Sequence, residues 1–180
     1  MPLTAEELLA KLDAGDSLED ESLAGIDLTG ADLKGRTLAG LDLSRAIFLE
    51  AECTGTVFAG CDLNDADFTE ATLVDADFSE VSAVATDFTH ATLDGANLAE
   101  GDFTNAIFVN ASFLDADLSD GEFTGCDFTT ADLKGADLSS GDFSNAVFVG
   151  ADFTDATIAD AVFEEADMDG VIGLELDDDL

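Results

Sequence analysis

The sequence predicts an all-β solenoid, a coil of short straight segments joined by tight turns, and three observations carry that expectation. From Leu18 to Met168 every fifth residue, 31 positions in all, is Leu, Ile, Phe or Met, with exceptions only at Cys53 and Ala83. Two residues before each of these centres the side chain is usually small, and 18 of the 31 are Ala. The remaining places hold nearly all the charge: 15 Asp sit immediately before a centre, and Thr, Ser, Gly, Asp, Glu and Asn dominate the two places after it.

An interval of five fits neither a helix face, which repeats at three or four, nor an exposed-face strand, which repeats at two. A helix would scatter these side chains around its circumference. A coil of five-residue segments instead puts the same position of every segment inside, one bulky group and one small group per segment. Stacked coils satisfy backbone groups through hydrogen bonds to the coils on either side, about 4.8 Å apart.

The ends need closing, because an open coil exposes sheet edge and apolar cross-section. Thr4 and Glu7 have capping-box spacing, Ala5, Leu8, Leu9 and Leu12 make one apolar helical face, and Gly15 is a stop signal. Residues 1–15 are therefore expected to hold a short capping helix over 4–14. After Met168 the repeat fades into DGVIGLELDDDL. In 171–180, Val171, Ile172, Leu174 and Leu176 are too apolar for a free tail, whereas Asp177, Asp178 and Asp179 should be solvated. That segment is expected to cap the last coil or to form a homodimer contact. Ala83 predicts a thin core at its level unless Val81 or Val84 fills it.

Composition narrows the function. Of 180 residues 42 are Asp or Glu and five are Lys or Arg, for a formal net charge of −37. Such a surface repels nucleic acid and anionic membranes and favours a basic partner. No run of 18 apolar residues is present and the first residues lack a signal-peptide pattern, so a cytoplasmic protein is expected. Three cysteines without CxxC spacing indicate neither disulfide framework nor zinc site, and no metal or cofactor is expected. His90, the single histidine, falls in an outward position. An uninterrupted solenoid offers no groove in which to desolvate a carboxylate and raise its pKa, so no catalytic residue is assigned and a non-enzymatic protein is expected.

ADLKG (31–35 and 131–135), ADLSS (136–140), ANLAE (96–100), ADFTE (66–70) and ADFTD (151–155) resemble the A(D/N)LXX consensus of the pentapeptide repeat family. The resemblance covers roughly 16–170. It implies a right-handed quadrilateral β-helix with four pentapeptides per coil, hence about eight coils and a stack about 37 Å long. Residues 20 apart then share a column. Leu28, Phe48, Phe68, Phe88, Phe108, Phe128, Phe148 and Met168 form one such column of the core, and its burial should dominate stability at roughly 1.5–3 kcal/mol per side chain.

The 33 acids between residues 17 and 168, against four bases, leave a charge of −29. Spread along the stack this is roughly one charge per 1.3 Å, at least as dense as duplex DNA at about 1.7 Å. In size and repeat the chain resembles the fluoroquinolone-resistance pentapeptide proteins of the Qnr type and their mycobacterial counterparts. Those are regarded as DNA mimics that occupy the DNA-binding saddle of DNA gyrase or topoisomerase IV. The resemblance implies competitive binding through outward acids, and dimerisation through the C-terminal end. Two outward columns supply the candidate contacts: Asp20, Glu80, Glu100, Asp120 and Asp160 in one, Asp75, Asp115 and Asp155 in the other. Two other readings stand beside this one. The chain is a rigid scaffold for protein assembly, for example in a secretion system, or its acidity is a solubility or salt adaptation.

Overall fold

The computed structural model describes residues 3–18 and 21–174. Leu176 and Asp177, Asp178 and Asp179 lie outside that range. Helix α1, Ala5–Ala14, comes first. Thr4 is its N-cap: its hydroxyl accepts the Glu7 N–H, and the Glu7 carboxylate accepts the Thr4 N–H at 2.9 Å. Gly15 ends it with a left-handed φ of 70°, donating to Leu12 while Asp16 donates to Lys11, the Schellman pairing.

Thereafter the chain repeats one unit. The centre residue's carbonyl accepts the N–H three residues on, as in Ala31 to Leu28 at 3.0 Å, closing a β-turn. The second central residue of each turn has φ near +60° and the first does not, which is the type II signature. Gly fills many of these corners, but 19 other residues adopt the left-handed conformation too, from Arg45 to Glu165. Between turns the residue before each centre pairs with its equivalent exactly one coil away: every bridge is parallel and every partner is 20 residues distant, from Asp27↔Ile47 to Asp152↔Ile172.

That register makes the coil four-sided. We label its walls by their centres: wall A contains Leu38, Phe58, Phe78 and Leu98; wall B Leu43, Leu63, Ala83 and Phe103; wall C Phe48, Phe68 and Phe88; wall D Cys53, Leu73 and Leu93. Each wall contributes single bridged residues rather than long strands. Where the sequence places the repeat at 16–170, the ladder runs from Asp27 to Ile172. Residues 16–18 and 21–23 carry the pattern but make no bridge, because α1 packs its Leu8, Leu9 and Leu12 against the same end of the core. Lys11–Glu21 at 2.9 Å and Arg36–Asp13 at 2.6 Å tie α1 to the first turns of the coil.

Every centre from Leu23 to Phe153 is buried. On wall C the Phe rings stack face to face, 4.3 Å apart for Phe48 and Phe68 and 4.8 Å for Phe128 and Phe148. Phe58 and Phe78 on wall A meet that stack edge-on, at 82–88°. From Phe103 onward the second stack moves to wall B, where Phe103, Phe123 and Phe143 lie tilted at 54–58° to their wall C neighbours. Ala83 sits at the change of wall. Val81 is buried there, 3% exposed, in a place usually given to Ala. Met168 and Phe163, in the last coil, are only half-buried, and no further coil follows them among the described residues.

A buried thiol or hydroxyl at the small inward position costs little here. Thr56, Thr86, Cys61 and Cys126 each donate to a carbonyl 23 residues earlier, at 2.8–3.0 Å. Burial pushes the Cys53 thiol up to about 12 and Cys61 up to about 11, and raises Cys126 as well, which leaves all three unreactive near neutrality.

Candidate protein-docking wall

The aspartate before each centre has a local task. In most units its Oδ1 accepts the N–H two residues on, as Asp67 does from Thr69 at 2.9 Å and Asp117 from Ser119 at 3.0 Å. For Asp27, Asp42 and Asp137 the hydroxyl of that residue, and then its N–H, hold the carboxyl below its usual range. Thr154 and then Lys134 lower Asp152 to about 2. Where Ser replaces this aspartate, the coil before supplies the acceptor: Asn64 takes the Val84 N–H at 2.8 Å, and Asp94 takes the Leu114 N–H at 3.1 Å and the Ser112 hydroxyl. These carboxylates fasten turns through Oδ1, and Oδ2 of Asp132 and Asp152 pairs with Lys134.

The acids singled out from the sequence all occupy left-handed corners, apart from Asp20, which lies outside the described residues. Asp75, Asp115 and Asp155 are the corners where the chain enters wall A. Glu80, Glu100, Asp120 and Asp160 are the corners where it leaves the same wall. All seven are exposed. Two columns that are separate in the sequence therefore border one surface. Asp77, Asp117 and Asp137 run down the middle of it, three of the aspartates before a centre that are not among the candidate contacts read from the sequence.

Wall A is also flat. The first residue after each centre, the other outward place on a wall, is Ala or Ser in every described coil of wall A: Ala39, Ala59, Ser79, Ala99, Ser119, Ser139 and Ala159. The equivalent places elsewhere hold Leu49, Val109, Thr124 and Lys134. Positive charge on wall A is confined to Arg36 in its first coil, where it pairs with Asp13. Lys34 pairs with Glu52 at 3.0 Å and Lys134 with Asp132 and Asp152 at 3.0 and 2.9 Å, all on wall D. From Thr56 to Asp160, wall A and its two borders carry no Lys or Arg.

A cavity of about 560 Å³ lies between α1 and the coil end, lined by Leu12, Leu18, Leu38, Leu41 and Arg36. Asp16 and Thr37 line it as well, and its one guanidinium is already engaged by Asp13. Among the described residues no group of His, Cys, Asp and Glu has the geometry to hold a metal ion, and no helix is long and apolar enough to cross a membrane.

Residues 96–172 match a pentapeptide repeat region, and 26–65, 50–82 and 61–98 match pentapeptide repeats of eight copies. No curated protein sequence matches. Among solved structures, a trypsin-treated variant of QnrB1, a plasmid-mediated fluoroquinolone resistance protein, shares 25% identity over 87% of this chain and 84% of its own, with a TM-score of 0.65. A second QnrB1 variant shares 24% over 87% and 86%, with a TM-score of 0.64. HetL, involved in heterocyst differentiation regulation in the cyanobacterium Nostoc sp. strain PCC 7120, shares 21% over 94% and 96%, at a TM-score of 0.42. With its five-residue units, its 20-residue register and these matches spanning residues 26–172, the chain belongs to the pentapeptide repeat family and folds as a right-handed quadrilateral β-helix.

Proposed function

We propose that this chain is a non-enzymatic, cytoplasmic binding protein, a rod of about eight coils whose wall A mimics the charge of DNA and docks on the basic DNA-binding surface of a type II topoisomerase such as DNA gyrase. Docking there changes the enzyme's activity or its sensitivity to quinolones. The observation that carries the reading is the convergence of seven exposed corner acids and three mid-wall aspartates on one flat wall free of Lys and Arg between Thr56 and Asp160. Two rows of negative charge border a smooth strip, with about 4.8 Å between successive coils. The likeness to QnrB1, a fluoroquinolone resistance protein, supports the same choice of target. The half-buried Phe163 and Met168 support a homodimer that covers the C-terminal coil with a second copy.

The test is a gyrase supercoiling assay titrated with the protein, with and without a fluoroquinolone. Glu80→Lys, Glu100→Lys and Asp120→Lys together should abolish inhibition or protection. The matched triple Glu50→Lys, Asp65→Lys and Glu70→Lys, on corners remote from wall A, should not. Equal loss from both triples means a non-specific field. No effect of the wild-type protein on the enzyme removes the proposal in favour of an assembly scaffold. Unfolding near 50 mM salt with recovery in molar salt assigns the acidity to salt adaptation, because screening then relieves self-repulsion.

A further inference from the structure

Wall C, opposite wall A, is built differently. Its bridged column is mainly aspartate, but Ile47, Ile107 and Val147 interrupt it. On those same three rungs the other outward place is also aliphatic, as Leu49, Val109 and Val149. Each rung is an apolar bar lying across the wall, with Ile47 and Ile107 at 37% and 38% exposure. The bars are three and two coils apart, about 14 Å and 10 Å. Between them stand Asp67, Asp87 and Asp127, one per coil.

β-propensity accounts for a branched residue at a bridged position. It does not account for a second Leu or Val on the same rung, nor for the confinement of such double bars to wall C in the described coils before the last, Val57 on wall A being paired only with Ala59. The bars also forgo a hydrogen bond, since Asp67, Asp87 and Asp127 each accept an N–H at 2.9 Å that an aliphatic side chain cannot. From this pattern we infer that wall C docks a cationic amphipathic α-helix of a partner protein, apolar side chains on the bars and Lys or Arg on the aspartates between them. A helix fits where a strand does not. The backbone groups at these rungs are already used between coils, as Ile107 N–H to Thr86 and Phe108 N–H to Asp127, so no edge is open for strand addition. A helix satisfies its own backbone, shows an apolar residue on one face at every turn of about 5.4 Å, and reaches all three bars with about 18 residues.

The test measures binding of a fluorescent Leu/Lys amphipathic peptide of about 18 residues, and of a peptide of the same composition in scrambled order. Both are titrated into the wild-type protein and into the triple variant Ile47→Asp, Ile107→Asp and Val147→Asp, at about 0.3 M salt to suppress the general field. Aspartate is the standard residue of this column, so the variant should fold and melt no lower than wild type. The expected result is at least about tenfold tighter binding of the amphipathic peptide by wild type, about 1.4 kcal/mol, and loss of that preference in the variant. Equal affinity for both peptides, or a preference that survives the triple substitution, overturns the inference. Neither outcome depends on the topoisomerase reading, because wall A is untouched.

Discussion

A Cβ built on Gly121 would lie 2.6 Å from Cε2 of Phe123, two residues along the same wall. Gly101 and Gly141 stand in the same relation to Phe103 and Phe143, at 2.5 and 2.7 Å. None of these three glycines has a positive φ, so what they supply is space rather than backbone freedom. Gly121→Ala should destabilise by about 1–3 kcal/mol, since the ring must leave its stack between Phe103 and Phe143. Adding Phe123→Leu should recover part of that loss, because Ala precedes Leu133 and Leu138 without strain in the native core. Denaturant melts of the two single variants and the double variant measure the coupling.

Val81 and Ala83 show the converse arrangement, a larger residue at the small position and the smallest at the centre. Both are buried, so Ala83→Leu is expected to overpack the site and cost about 1 kcal/mol or more. Combining Val81→Gly with Ala83→Phe copies the arrangement of Gly101 and Phe103. The double variant should be more stable than Val81→Gly alone, which leaves a void. A denaturant midpoint for the double variant at or below that of Val81→Gly would contradict this account of the core.

Left-handed corners occupied by residues other than Gly hold conformational strain of roughly 1 kcal/mol each. Ala85, at φ 57°, has no side-chain group able to bond locally. Ala85→Gly should therefore raise stability by up to about 1 kcal/mol, reduced by the greater freedom glycine gains in the unfolded chain. A lower melting temperature for this variant would show that the corner is not strained.

Asp152 gives a pH signature. Its carboxyl is lowered to about 2 by Thr154 and Lys134, so its contribution to stability is present above the ordinary carboxylate range near 4 and is lost as pH falls through about 2. The melting temperature of Asp152→Ala should fall below that of wild type at pH 6, and the gap should shrink on acidification. A gap that stays constant from pH 6 to pH 2 would mean that the charge of Asp152 does not stabilise the fold.

The five-residue register was legible because one large and one small inward side chain recur without a single insertion from residue 18 to residue 168. Helix α1 was legible for a similar reason: Thr4, Glu7 and Gly15 act on their immediate neighbours. The candidate docking wall was only partly legible. The triplets Gly101–Asp102–Phe103, Gly121–Glu122–Phe123 and Gly141–Asp142–Phe143 carry a 20-residue signal of their own, one coil long, that marks where the second Phe stack lies. Asp77, Asp117 and Asp137 share the common Asp-before-centre pattern and so do not stand out in the sequence, yet they lie in the middle of wall A, each accepting an N–H two residues on through Oδ1.

By itself the sequence determined which side chains are inside, where the turns fall and how much negative charge the surface carries, because each of these is set within five consecutive residues. Only the tertiary structure decided that Asp75 and Glu80, Asp115 and Asp120, Asp155 and Asp160 are left-handed corners bordering one wall, while the bridges put Ile47, Ile107 and Val147 on the common wall that the 20-residue register implies. It also placed the start of the ladder at Asp27, where α1 packs on the coil end in place of the first units. These relations arise from closing four turns into a square and stacking the squares. Neighbours in space then lie 20 residues apart, and hydrogen bonds between coils, not local preference, set which residues share a wall.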